Sequence, residues 1–287
     1  PNCGTDPVEL LAYFETGFDL PKALAEEFTR QYPNVTWDIR EDQFTNLMQQ
    51  SPLLLSGDNP PDLIRLPSMV DLARDGLLLN LDPYVTAYGW DQWSPAMLVQ
   101  NRVDENGRRG SGSLFAAGLN YSMTGVFYIK DQAAQIGMTE PPATLAAFEE
   151  LLAKAKDAGL LPIMQWGSAK SGMGLAFPLQ NLMAAVGPTE PINVWMFEVD
   201  ALPFLAAGYD AAAPGKIGFF LFPPKDEGGP HGAMSAPLTY GIGANAAHKD
   251  CAAYFLHWVA TDPTARQIDV TVGGSNPGGP SELSLIH

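Results

Sequence analysis

The run Val8-Glu9-Leu10-Leu11-Ala12-Tyr13-Phe14, the segment Leu20 to Phe28 and the run Val35-Thr36-Trp37-Asp38-Ile39-Arg40 together set the architecture. The first run is mostly apolar and of strand length, the pattern of a strand covered on both faces. Asp19 as cap and Pro21 in the first turn predict a helix start, and Leu20, Leu24 and Phe28 recur at four-residue spacing to form an inward stripe. Pro33-Asn34 stops that helix, and alternation from Val35 to Arg40 predicts a second strand. Residues 8–40 therefore read as a β-α-β unit with a right-handed crossover. In open parallel sheets ligands gather outside the carboxyl ends of strands, here Glu15, Thr16, Gly17 and Phe18.

Working outward, Asp62 to Leu66 predicts a short strand after Asn59-Pro60-Pro61, with a helix near 68–75 ending at Gly76 and a loop carrying Arg65, Pro67 and Ser68. Residues 101–113 are polar and Gly-rich, an exposed hairpin or loop. A second α/β alternation follows. It has a strand at Gly125–Ile129, a helix capped by Thr144, a strand at Pro162–Trp166, a helical stripe from Gly174 to Val186 and a buried strand at Ile217–Phe222. Residues 198–216 show no clear period. Pro237–Ile242 then reads as a strand and Lys249–Ala260 as a helix with Ala252, Phe255, Leu256 and Val259 on one face. Asp262-Pro263 restarts a helix.

The chain has 287 residues, enough for two domains, and its 46% hydrophobic against 17% charged content is a globular balance. A formal charge of −16 repels phosphate backbones and anionic membranes, so nucleic acid is excluded as a partner. No stretch reaches the ~20 apolar residues of a membrane span, and no basic-then-apolar leader opens the sequence. Two cysteines, Cys3 and Cys251, exclude a dense disulfide framework and multi-cysteine zinc patterns, and spacing leaves open whether they pair.

Gly241-Ile242-Gly243-Ala244-Asn245-Ala246 fits the loose dinucleotide fingerprint, but the acid about twenty residues on, Asp262, caps a helix, so the stretch reads as a strand-to-helix turn. Gly273-Gly274-Ser275-Asn276-Pro277 has proline where a nucleophile elbow needs its last glycine. The histidines 231, 248, 257 and 287 form no metal-ligand spacing, and no cofactor is expected. Glu26-Glu27 and Glu149-Glu150 read as solvated helix faces. A two-carboxylate glycosidase would need converging acids, for which Glu15 with Asp62 or Asp226 is the candidate pairing.

Aromatic and amide residues gather at predicted strand ends: Phe14, Trp37, Asn120, Tyr121, Gln165 and Trp166. Aromatic faces stack on the C–H surfaces of sugars while amides and carboxylates orient hydroxyls. Trp37, inside a strand, belongs to the core. Phe14 and Trp166 fit core or pocket. Asn120-Tyr121-Ser122, polar between two apolar runs, fits a cleft.

In order along the chain, four segments resemble the bacterial extracellular solute-binding proteins, the carbohydrate-binding components of ABC importers related to maltose-binding protein. They are Leu11–Gly17, Gly57–Ile64 followed by Asp75-Gly76-Leu77-Leu78, Thr124–Lys130, and Pro141–Leu145; the return segment Tyr240–Ala246 through Cys251–Val259 is similar too. The resemblance implies an α/β, two-lobed periplasmic-binding-protein fold of type II-like topology, each lobe a mixed sheet flanked by helices, hinged to close on a sugar. Residues 1–120 would form the first lobe, 121–237 the second and 238–287 the return. Phe14, Glu15, Thr16, Asn46, Arg65, Asn120, Tyr121, Ser122, Gln165 and Trp166 would face the ligand. It further implies a monomer acting outside the cell or in the periplasm with the permease subunits of an ABC importer and without catalysis. A secreted carbohydrate-active enzyme and a sensing receptor without transport are the alternatives. Family members tethered through an amino-terminal cysteine suggest the same role for Cys3, and a Cys3–Cys251 disulfide fits as well. Relatives carry further helices and an aromatic-bearing strand between the equivalents of Phe197 and Leu202, and carboxyl-terminal helices beyond the equivalent of His287. The expectation is that these segments are left out of the sequence.

Overall fold

The computed structural model describes residues 2–93, 98–121, 125–163, 182, 215–229, 231, 238–273 and 276–277. Contacts divide the chain into two compact units, Pro1–Tyr121 with Pro237–His287, and Ser122–Ala236.

In chain order, the first unit opens with β1 (Val8–Glu15), α1 (Leu20–Gln31), β2 (Val35–Asp42), α2 (Phe44–Ser56), β3 (Leu63–Arg65), α3 (Val70–Arg74) and α4 (Asp82–Tyr88). It continues with β4 (Arg102–Val103), β5 (Ser113–Leu114), β6 (Ala116–Gly118) and β7 (Asn120–Tyr121). The second unit contributes β8 (Val126–Ile129), α5 (Lys130–Gln135), α6 (Leu145–Asp157) and β9 (Ile217–Phe220). The return supplies β10 (Thr239–Gly241), α7 (Lys249–Thr261), α8 (Pro263–Thr271) and β11 (Asn276–Pro277). No helix among the described residues is long and apolar enough to cross a membrane.

The first unit is built on a five-stranded sheet of order β2-β1-β3-β10-β6. β1 pairs in parallel with β2, Val8 opposite Val35 through Glu15 opposite Asp42, and with β3. β10 is antiparallel to both β3 and β6, so β6 runs in the direction of β3. The apolar run of β1 is covered on both sides. Leu10, Ala12 and Phe14 pack with Leu24 and Phe28 of α1 and Phe255 and Leu256 of α7, whereas Ile64 and Leu66 pack with Leu55, Leu72 and Leu78. Burying Phe28 completely contributes about 1.5–3 kcal/mol. Trp37 joins this core, its ring 4.9 Å from Phe255 and 6.4 Å from Phe14.

The glycine run after β10 is a packing device. A Cβ on Gly241 would lie 2.5 Å from Leu66 Cδ1, and one on Gly243 would lie 2.9 Å from the Pro61 carbonyl oxygen. Gly243 N donates to that same carbonyl at 3.1 Å, so the backbones meet where no side chain fits. Residues 101–113 form the expected hairpin, with β4 and β5 antiparallel.

The cysteines pair: Cys3 is bonded to Cys251 with Cα atoms 4.2 Å apart, and both are buried. A sulfur in a disulfide has no valence left for a lipid thioether, so the structure assigns Cys3 to the bridge rather than to tethering. Asn34 Nδ2 donates to the carbonyls of Gly4 (3.3 Å) and Asp6 (3.0 Å), fixing the same segment.

In the second unit β8 and β9 pair antiparallel, Val126 opposite Phe220. Phe148 of α6 packs edge-on against Phe220 and Phe222, each at 5.8 Å. Thr144 caps α6 as the sequence predicts, its Oγ1 accepting Ala147 N at 3.2 Å. Asp262 likewise caps α8 through the amides of Thr264 and Ala265. Asp19 does not cap α1: its backbone is already helical, and its carboxylate lies 3.9 Å from Lys22 Nζ instead. The predicted buried strand at Ile217–Phe222 is shorter and half open, with Phe219 45% exposed. The predicted helix at Gly174–Val186, the aperiodic stretch 198–216, the strand at Pro162–Trp166 beyond Ile163, and the omission expected near Phe197–Leu202 lie outside the described residues, Leu182 and 215–216 excepted.

Candidate ligand-binding site

Topology brings several strand ends to one edge of the first unit. β1, β2, β3 and β6 all finish there and β10 begins there, so Glu15, Asp42, Arg65 and Thr239 converge. The chain also leaves this unit after Tyr121 and re-enters it at Pro237, at the same edge. Strand ends of this kind are the usual place for ligands in open α/β sheets.

The centre of the edge is an ion pair. Arg65 Nε donates to Glu15 Oε2 at 3.0 Å, with 1% of the arginine side chain and 12% of the glutamate side chain exposed. Arg65 Nη1 reaches the carbonyls of Leu66 (3.1 Å) and Thr239 (3.3 Å), so one guanidinium ties β1, β3 and β10 together. A buried charge persists only when paired and hydrogen-bonded, and Arg65 is both.

Beside it, Asp42 stands directly opposite Glu15 in the parallel pair. Two adjacent carboxylates would repel, and each has its own compensation. Glu15 has Arg65, while Asp42 accepts Gln43 N at 2.7 Å, Asn46 Nδ2 at 2.7 Å and Gln50 Nε2 at 3.5 Å. Asn46 and Gln50 follow at helical spacing on α2, whose first turn starts two residues after Asp42.

The sequence-predicted site residues fare differently. Glu15, Thr16 and Asn46 stand at the edge, Thr16 exposed and the other two half-buried. Thr16 N extends the ladder to the Asp42 carbonyl at 2.9 Å. Phe14 is fully buried, edge-on to Tyr240 at 5.7 Å, and belongs to the core instead of the ligand surface. Arg65 is a brace without surface to offer a ligand. Asn120 is 4% exposed, and its Oδ1 accepts Leu238 N at 2.8 Å, which clasps the outgoing strand to the returning one. Tyr121 pairs through its backbone with Asn276. Its side chain and Ser122, Gln165 and Trp166 lie outside the described residues. Asp42 and Gln50 were not singled out by the sequence reading, although Asp42, Asn46 and Gln50 at intervals of four after a strand end is a legible signal.

The glycosidase pairing of Glu15 with Asp62 does not form. Asp62 is 3% exposed, and its carboxylate accepts Leu11 N at 3.0 Å and His248 N at 2.7 Å. Its own N–H donates to Leu11 O, four residues from Glu15, which is about 13 Å along β1 at ~3.3 Å per residue. Paired glycosidase carboxylates lie about 5–9.5 Å apart.

Solved structures share this fold. The apo form of RafE from Streptococcus pneumoniae has a TM-score of 0.67 at 17% identity, covering 99% of this chain and 85% of its own. A chitin oligosaccharide binding protein gives 0.68 at 14%, covering 95% and 82%, and maltose-bound T. maritima MalE3 gives 0.63 at 17%, covering 94% and 81%. Comparison with curated protein sequences gives no match. The family described as bacterial extracellular solute-binding protein matches residues 16–266, a span that takes in the strand-end loop at Thr16, the whole second unit and the return through α7, and the chain belongs to that family.

Proposed function

We propose that this protein captures a carbohydrate, a mono- or oligosaccharide, at the strand-end edge of its first unit and delivers it outside the cell to the permease subunits of an ABC importer. The observation that carries the reading is the row Glu15, Thr16, Asp42, Asn46 and Gln50, carboxylates and amides set where a parallel sheet presents its ligand side. Carboxylates accept from sugar hydroxyls, and amides both donate and accept. Family membership supports solute binding, and structures of this fold hold mannobiose, maltose and raffinose. Tyr121, Ser122, Gln165 and Trp166 are proposed as further contacts. The Cys3–Cys251 disulfide supports action in an oxidising compartment outside the cytoplasm. The role is non-catalytic, and the protein works as a monomer.

Thermal unfolding with a panel of mono- and oligosaccharides tests this. A ligand at one hundred times its Kd adds about 2.7 kcal/mol to the folded state, a clear upshift in Tm. A response to amino acids or peptides and to no saccharide refutes the carbohydrate assignment. Turnover of a chromogenic glycoside refutes the non-catalytic role.

A further inference from the structure

Resting on the carbohydrate reading, we infer that the edge selects uncharged or cationic saccharides and rejects anionic ones such as uronates and sugar phosphates. Binding an anion needs positive charge aimed at it, and the basic residues nearest this edge are each paired with an acid. β1, β6, β7, β10 and α2 contain no lysine or arginine, and from Tyr32 to Pro67 the basic residues are Arg40 and Arg65. Arg65 is 1% exposed, its Nε on Glu15 and its Nη1 on two backbone carbonyls. Arg40 Nη2 pairs with Asp38 at 3.0 Å, and Lys22 of α1 pairs with Glu41 at 3.1 Å.

The acids are not balanced in the same way. Glu15 and Asp42 stand side by side, and Arg65 pairs with Glu15. Asp42 is held by the neutral donors Gln43 N, Asn46 Nδ2 and Gln50 Nε2, so its full charge remains at the edge. Hydroxyl and ammonium groups donate to such acceptors. A ligand carboxylate or phosphate meets them as a like charge, which is discrimination by repulsion.

The experiment uses the full chain and matched ligands. Maltotriose, mannotriose, triacetylchitotriose and raffinose are titrated by calorimetry. For each that saturates, a C6-oxidised carboxylate derivative and its methyl ester are compared, because the ester keeps the added bulk without the charge. The acid is expected to bind at least tenfold more weakly than the ester, with the gap shrinking as salt rises. Equal or tighter binding of the acid overturns the inference and leaves the carbohydrate reading standing. The absence of any saccharide response overturns both. Asp42→Asn, nearly isosteric and half-buried, is expected to shrink the acid–ester gap at least threefold while keeping a cooperative unfolding transition without ligand. An unchanged gap in this variant removes Asp42 from the selection.

Discussion

At one end of the first unit's sheet, Asp62 is buried with its two oxygens on the amides of Leu11 and His248, next to the Cys3–Cys251 bridge and the Tyr84–Asp250 hydrogen bond of 2.6 Å. At the other end, Glu15 and Asp42 are half-buried side by side, and Arg65 behind them is sealed away. Both ends are rich in acids. The difference lies in what donates to them: backbone amides at the closed end, side-chain amides and a guanidinium at the open end. Charge at a strand terminus is thus not evidence of a site until its partners are known.

The sharpest way to break this contrast is at Arg65, which belongs to the open end by position and to the closed end by burial. Arg65→Ala leaves Glu15 beside Asp42 without its cation and strips a donor from the Leu66 and Thr239 carbonyls. Removing one partner of a buried pair costs about 3–5 kcal/mol, and the partial exposure of Glu15 puts the expected loss near the lower figure. Urea unfolding reads it. A variant of wild-type stability that has lost only saccharide affinity would make Arg65 a ligand contact.

Next in size is the bridge at the closed end. Cys3→Ser with Cys251→Ser is expected to lower unfolding free energy by about 2–4 kcal/mol, because the bridge closes a very long loop, while saccharide affinity stays within twofold. Affinity falling at unchanged stability would mean that the two ends are not independent. Intact mass after alkylation without reductant should show neither cysteine modified.

How far the sequence could take these assignments depends on the range of the interaction concerned. The periods of β1, α1 and α7 and the caps Thr144 and Asp262 are local, and they read directly. Arg65 looked like a loop cation because Glu15, which buries its charge, lies 50 residues away. Asn120 fitted a cleft, since its partner Leu238 is 118 positions on. Phe14 reads as a strand-end aromatic until the return strand brings Tyr240 against it. The cysteines, 248 apart, carry no spacing rule at all, and only the fold brings them together. Asp42 does not stand out in the sequence because the charged alternation of an edge strand hides one hydrogen-bonded acid among solvated ones.

The smallest effect concerns the helical layer behind the closed end. His257 on α7 stacks on Tyr88 at 4.4 Å and 7°, and its Nδ1 accepts from Trp90 Nε1 at 3.2 Å. Burial holds the imidazole below its ordinary value near 6.5, so the folded state keeps it neutral where the unfolded chain takes up a proton. Over that window the unfolded state binds more protons, and stability rises with pH. The contribution is therefore complete above about pH 6.5 and is lost as pH falls below it. Protonation also turns the acceptor of the Trp90 N–H into a donor, a loss of about 1 kcal/mol. Asp269 of α8 works in the opposite sense: burial raises its carboxyl well above the ordinary range, so its contribution declines as pH rises. The measurement that separates them is the difference between wild type and His257→Gln, followed by urea unfolding from pH 5 to 7.5. That difference should slope between pH 5 and 6.5 and flatten above. A flat difference throughout would mean that His257 titrates alike folded and unfolded, and that its stack with Tyr88 does not depend on the neutral ring.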